Sequence, residues 1–260
     1  MNRGSISGTK IGGEFTVNTF LTGQQTLSSV TADADGGFTV SWQSDDGTVR
    51  SRSFDNATII DGTAGNDSLT GDAKANLIHG YAGDDTGPSY VGSTAAVKVN
   101  LASNANSGGY AQDDLLSGIE NVVGGAGNDM LFGGQGADEF RFGRTDGADT
   151  INAFDTDGGA DKLAVGAGVT TDQLWFAQTG NDLVMTIIGT SDSMTVQDWY
   201  SGANQKLDRV QLSTGTYAET SDIEALRSAM AAFSPPPLRQ TTLDPSVAQS
   251  LAPALVANWH

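Results

Sequence analysis

The sequence predicts an all-β protein: a parallel coil of short strands, flanked by small antiparallel β-sheets and followed by one C-terminal helix. Three observations carry that expectation. A nine-residue period of glycine, acid and large apolar residue runs through the middle of the chain. Short alternating segments separated by Gly, Asn and Asp turns lie on either side of it. Among 31 acidic residues, Asp outnumbers Glu 26 to 5. Glu is a good helix former, whereas Asp competes with the backbone for hydrogen bonds and favours turns and metal loops.

Residues 14–54 read as four strands, EFTVNTF, TLSSVTAD, GFTVSWQS and TVRSRSF, with turns at Asp35-Gly36-Gly37 and Asp45-Asp46-Gly47. Val30, Val40, Trp42 and Phe54 are candidates for the buried face. So small a sheet is marginal alone and is expected to pack on the segment C-terminal to it. From Asp61 the period becomes nine: Gly62–Thr70, Gly71–His79, then Gly80–Asp85. It returns in Gly124–Phe132 and Gly133–Arg141. Leu115–Val123 fits the same frame, with Gly118 fourth, Glu120 sixth and Val122 eighth. Gly87-Pro88 falls where the third repeat needs its apolar residue, so the coil is expected to be interrupted there. Residues 95–103 alternate as a further strand.

A second strand-rich stretch, 173–212, contains QLWFAQ, DLVMTIIG, SMTVQDWY and KLDRVQLS. The one clear helix is Thr220–Phe233. It has a Thr/Ser/Asp start, an apolar face of Ile223, Leu226, Met230 and Phe233, and a stop at Pro235-Pro236-Pro237. The tail, 238–260, is expected to be mobile when free. The domain reading is a 1–60 antiparallel sheet, a 61–165 coil interrupted near 87–113, a 166–217 β-rich cap, and a 218–260 helix and tail.

Composition excludes several function classes. A net charge of −18 with only 13 Lys and Arg argues against a nucleic-acid partner. Cysteine is absent, so disulfides, thiol catalysis and thiolate metal sites are ruled out. The first fifteen residues, MNRGSISGTKIGGEF, hold no apolar run able to serve as a signal-peptide core, and no stretch approaches the apolar length of a transmembrane helix. The sequence contains no G-x-S-x-G, H-E-x-x-H or P-loop pattern, and one of its two histidines is the last residue. No enzyme is expected. Carboxylate pairs such as Asp84/Asp85 and Asp113/Asp114 are read as turn or metal groups rather than acid–base catalysts.

The nonapeptide G-G-x-G-x-D-x-U-x has a direct physical reading. Glycines allow the left-handed turns that wrap a loop around an ion. The sixth residue supplies a hard carboxylate oxygen and the loop carbonyls supply more, a donor set suited to Ca²⁺ rather than Zn²⁺. The eighth residue, Leu69, Ile78, Leu131 or Phe140, points inward from a short strand. Two repeats complete one turn of a right-handed coil, with several ions between loops stacked one turn apart.

This pattern resembles the RTX, or haemolysin-type calcium-binding, family, whose repeats wind into a parallel β-roll. Gly124–Asp138 holds two tandem copies in register. The 62–85 block is more degenerate: Thr63 and Tyr81 replace the second glycine, and Asn76 replaces an Asp. The resemblance implies ions held by second- and fourth-position carbonyls and the acid of one loop, with first- and third-position carbonyls and the acid of the loop two repeats on. Thr63, Gly65 and Asp67 would then share an ion with Gly80, Ala82 and Asp85. Gly118 and Glu120 would face Gly133, Gln135 and Asp138. Gly125, Gly127 and Asp129 would meet Asp146 and Asp149. Asp155, Asp157 and Asp161 stay open between an ion site and solvated turns.

Other segments carry the resemblance further. Leu116–Val122 is similar to the linker before a repeat block, and Gly147–Phe154 with Asp161–Leu163 to the segment that closes the roll. Residues 182–200 resemble the cap after such rolls, and residues 33–55 a repeat near the start of large secreted members. The family implies a secreted protein that folds on binding calcium, exported by a type I secretion apparatus that reads an uncleaved C-terminal signal. The Met1 start and N-terminal sheet favour a complete small protein over the folding and secretion module of a larger toxin, adhesin or hydrolase. A calcium-dependent adhesion protein using Trp42, Trp175 and Trp199 is the other alternative, although core packing is the default for tryptophans in strands. The host or surface partner is not legible.

Overall fold

A computed structural model describes residues 3–4, 10–11, 25–32, 38–44, 47–54 and 58–260. The expected strand at 14–20 and the Asp35-Gly36-Gly37 turn lie outside the described residues. Among the described residues the chain is mostly strand with two helices, and no helix is long and apolar enough to cross a membrane.

The nine-residue period translates into strands that alternate between facing sheets. Ser68–Thr70, Thr86–Ser89, Asn121–Val123, Glu139–Phe142, Lys162–Val165 and Arg209–Leu212 lie side by side, every neighbouring pair parallel. The intervening strands pair elsewhere. Thr58–Asp61, Asn76–His79 and Leu115–Ser117 form one parallel sheet. Lys98–Asn100, Met130–Phe132, Ala148–Asn152 and Ser193–Val196 form the parallel part of another. Turns with little room for side chains make this winding possible. A β-carbon at Gly80 would overlap the Gly118 carbonyl and the Asp85 carboxylate, and Gly136 has φ 102°.

The eighth-position residues Leu69, Ile78, Val122, Leu131 and Phe140 are all buried in one core between these sheets. Each contributes about 1.5–3 kcal/mol by leaving water. Strand Asn76–His79 is buried on both faces: Ile78 points into the coil, and Leu77 joins Leu115 and Val40 in a second cluster. That cluster is how the N-terminal sheet Gln25–Ala32, Phe38–Ser44, Val49–Phe54 packs on the coil. Val30, expected on the buried face, is exposed instead. Trp42 is half-buried against the cluster.

At Gly87-Pro88, where an interruption is expected, the strand Thr86–Ser89 pairs with shifted register on both sides, and the fully buried Tyr90 fills the core just beyond it. Three expectations are corrected. The C-terminal antiparallel strands do not form a separate sheet. Leu174–Thr179 and Asp182–Ile187 extend the sheet of Ser193–Val196, and Tyr217–Glu219 extends that of Arg209–Leu212, so both large sheets are mixed. There are two C-terminal helices rather than one: α1 (Thr220–Met230) and α2 (Pro245–Asn258). Ile223, Leu226 and Met230 of α1 are buried as its apolar face requires. The tail is docked. Leu251 and Trp259 are buried, Trp259 lies 6.4 Å from Phe176 ring to ring, and His260 exchanges two backbone hydrogen bonds with Tyr217.

Candidate metal centre

The sixth residue of each repeat stands immediately before a strand, so its side chain lies at the end of the parallel ladder. At Asp67, Asp85, Asp129 and Asp138 the residue's own amide has a carboxylate as acceptor, whereas the Glu120 amide has the Asp85 carbonyl (3.4 Å). Asp67 N–H donates to Asp85 Oδ1 (2.9 Å), and Asp85 N–H to Glu120 Oε2 (3.0 Å). Asp138 N–H donates to Asp161 Oδ1 (3.0 Å), and Asp161 N–H to Asp208 Oδ2 (3.0 Å). On the facing side, Val97 N–H and Asp129 N–H donate to Asp129 Oδ1 and Asp149 Oδ1, each at 2.9 Å. The result is a column of acids along each edge of the coil.

The fold brings most of the residues expected to share ions into adjoining turns. Asp67 and Asp85 are adjacent. The Thr63 amide and hydroxyl both donate to Asp67 Oδ2 (2.6 and 2.9 Å), Gly65 lies against Gly83, and Ala82 is exposed in the same turn. Gly118 packs on the backbone of Tyr81, and Glu120 receives the Asp85 amide, so this turn sits between those of Asp85 and Asp138. Gly133 packs on the Asp138 carboxylate, while Gln135 Oε1 accepts from the Thr156 hydroxyl (2.8 Å). Gly125 N–H donates to Asp129 Oδ2 (2.6 Å), and Gly127 abuts Gly147. Asp146 acts on Asp149 through its charge rather than by a bond.

Several acids in the columns were not assigned to an ion by their spacing. Asp114 stands sixth from Gly109 with Leu116 eighth, a frame hidden because the next strand begins after a turn of three residues, 118–120. Asp208 and Asp192 precede strands outside any glycine repeat; Asp192 accepts the Thr145 and Gly147 amides. Asp161 is buried within the first column, and Asp155 is buried nearby.

The electrostatics fit a cation. Burial first, then the charges of Asp161, Asp155, Glu120 and Asp157, push Asp138 up to about 8. Burial likewise raises Asp149 and Asp161 to about 7, with neighbouring acids adding to it and a bond from the preceding acid's amide opposing it. Asp85 Oδ2, Asp138 Oδ2 and Asp155 Oδ2 are buried with no hydrogen-bond donor. Anionic oxygens in that condition are costly unless a positive charge meets them. Among the described residues no three carboxylate or imidazole side chains form a cluster able to hold a metal ion. Backbone carbonyls would therefore supply most ligands, as hard, oxygen-only coordination of Ca²⁺ allows.

Comparison with known families decides the matter. The RTX calcium-binding nonapeptide repeat (4 copies) matches residues 61–86 and 109–144. The chain carries RTX-type calcium-binding repeats. The haemolysin-type calcium binding protein related domain matches residues 182–217, the strands that extend both sheets of the coil. The second block of the repeat match begins at Gly109, in the frame that makes Asp114 a sixth-position acid.

Proposed function

We propose that the coil is a β-roll that takes up several Ca²⁺ ions along its acidic edges, and that this uptake drives its folding outside the cell. The observation that carries the reading is the pair of donor-free carboxylate oxygens on Asp85 and Asp138, buried at matching positions of the stacked turns. In this reading the ligands are Thr63, Gly65, Asp67, Gly80, Ala82, Asp85, Gly118, Glu120, Gly125, Gly127, Asp129, Gly133, Gln135, Asp138, Asp146 and Asp149, the glycines, Ala82, Thr63 and Gln135 through their carbonyls. Asp161 joins them because it shares the column with Asp138. The chain's own contribution is to fix the acids in place through the amide-to-carboxylate bonds and to exclude water with the Leu69–Phe140 core. Calcium, when bound, supplies the charge that offsets their mutual repulsion.

Extracellular calcium modules bind in the range of about 10⁻⁴–10⁻³ M, far above cytosolic calcium. The chain would remain unfolded inside, pass a type I channel, and fold outside. The lack of cysteine supports that route. No reaction is assigned. His79 is bound to Asp61 (2.8 Å) and His260 to Asp222 (3.2 Å), both structural pairs. An adhesive surface built on Trp175 and Trp199 has no support, because both are buried.

The test is circular dichroism of calcium-stripped protein during a calcium titration. Expected is a weak β-signal that rises cooperatively with calcium and is insensitive to magnesium. A full β-spectrum without metal would overturn the reading.

A further inference from the structure

We infer that the side-chain amide of Asn76 stands in for a cation in one turn of the coil, so that this turn closes without metal. Asn76 is sixth in the repeat Gly71–His79, where the repeats on either side carry Asp67 and Asp85. Its Nδ2 donates to the carbonyl of Lys74 (2.5 Å), to Asp114 Oδ1 (3.2 Å) and to the carbonyl of Asp72 (3.3 Å). These are the fourth- and second-position carbonyls of its own loop and the acid of the strand stacked on it. In the proposed reading, groups at those same positions hold the ions in the Asp repeats. Two N–H groups with partial positive charge thus face three oxygens that would otherwise repel each other. Reversing the amide would aim a fourth oxygen at them, so the orientation is dictated by charge.

The carboxylate in this turn is satisfied by protein donors alone. Asp114 Oδ1 also accepts the Asn76 amide (2.7 Å), and Oδ2 accepts the Tyr90 hydroxyl (2.7 Å). Tyr90 and Asp114 are both 0 % exposed. Asp85 and Asp138 instead retain a buried carboxylate oxygen with no donor, whereas the buried oxygen without a donor in this turn is the neutral amide Oδ1 of Asn76. The space is also filled: a β-carbon on Gly71 would lie 3.2 Å from the Tyr90 ring and 3.6 Å from Asn76 Nδ2. This self-closed turn lies where Leu77 and Leu115 pack against Val40 of the N-terminal sheet. The coil therefore holds one turn whose closure is independent of calcium, beside the sheet that covers it.

The inference rests on the reading that the Asp repeats hold calcium. The experiment is native mass spectrometry of the full chain in calcium, counting ions in the wild type, Asn76→Asp and Asn76→Ser. Asn76→Asp should gain one ion and, in calcium-stripped buffer, be less ordered than the wild type. Asn76→Ser should keep the wild-type count. An Asn76→Asp protein with an unchanged count, or Asn76→Ser losing an ion, overturns the inference. Should Asn76→Asp not fold, Asn76→Ser decides alone. A wild type that binds no ion at all overturns the calcium reading of the whole coil instead.

Discussion

Lowering the pH should order the metal-free chain, the reverse of ordinary acid denaturation. Burial and neighbouring acids raise Asp138 to about 8 and Asp149 and Asp161 to about 7 in the fold. In the unfolded chain an Asp titrates near about 3.9. The fold therefore binds more protons than the unfolded chain between those values, and its stability falls as pH rises. The penalty is absent below the unfolded value, grows through the interval, and is complete above the folded value. From about pH 8 to about pH 5.5 the three groups set a ceiling of about 7 kcal/mol, which water at the open edge of the turns reduces to about 2–3 kcal/mol. Far-UV circular dichroism of calcium-stripped protein across this range is the assay. Expected is a β-signal that increases as pH falls, while the calcium concentration at half-response rises because protons compete for the same oxygens. A metal-free β-signal that is flat or declines towards pH 5.5 refutes the reasoning.

Asp138→Ala should shift the calcium midpoint of that titration at least tenfold upward, equivalent to about 1.4 kcal/mol at one site. Asp222→Ala should leave it unchanged, because Asp222 only receives the Glu219 amide (2.9 Å) and the His260 ring at the start of α1; its cost of about 1 kcal/mol appears in thermal melts. Phe140→Ala, in the core, should cost about 3–5 kcal/mol in denaturant unfolding of the calcium-loaded protein. Deleting residues 234–260 should abolish export in a type I secretion assay while preserving the ion count. The same deletion should lower the melting temperature, because Leu251 and Trp259 leave the core.

Much of the fold was legible because the nonapeptide is a local code. Its sixth residue precedes a strand and its eighth faces inward, so Asp138 and Phe140 could be placed from spacing alone. Where the frame was broken, spacing failed. Asp114, read only as a turn or metal group, was not placed in a repeat because its strand and the next are joined by the short turn at Gly118, and Asp208 was missed because no glycine repeat leads into its strand. Tyr81 kept the second-position turn without glycine, adopting φ 76°. Helix α2 was unread because Pro253 lies inside it and its Ala, Val and Leu residues are spread around it rather than confined to one face; Asp244 and Pro245 at its start were the available signal. Val30 alternates correctly, but a sheet this small covers only one face, and nothing in its own sequence says how far that cover extends. The merging of the C-terminal strands with the coil is a long-range pairing, set by ladder ends that only the folded chain brings together.

Hydrogen exchange read by mass spectrometry tests the coupling of calcium to folding most directly. With calcium, amides in the strands between Ser68 and Val165 should be protected by orders of magnitude relative to the calcium-stripped chain, with protection in Asn76–His79 and Leu115–Ser117 surviving longest as calcium is withdrawn. Equal protection of the coil with and without calcium would contradict it.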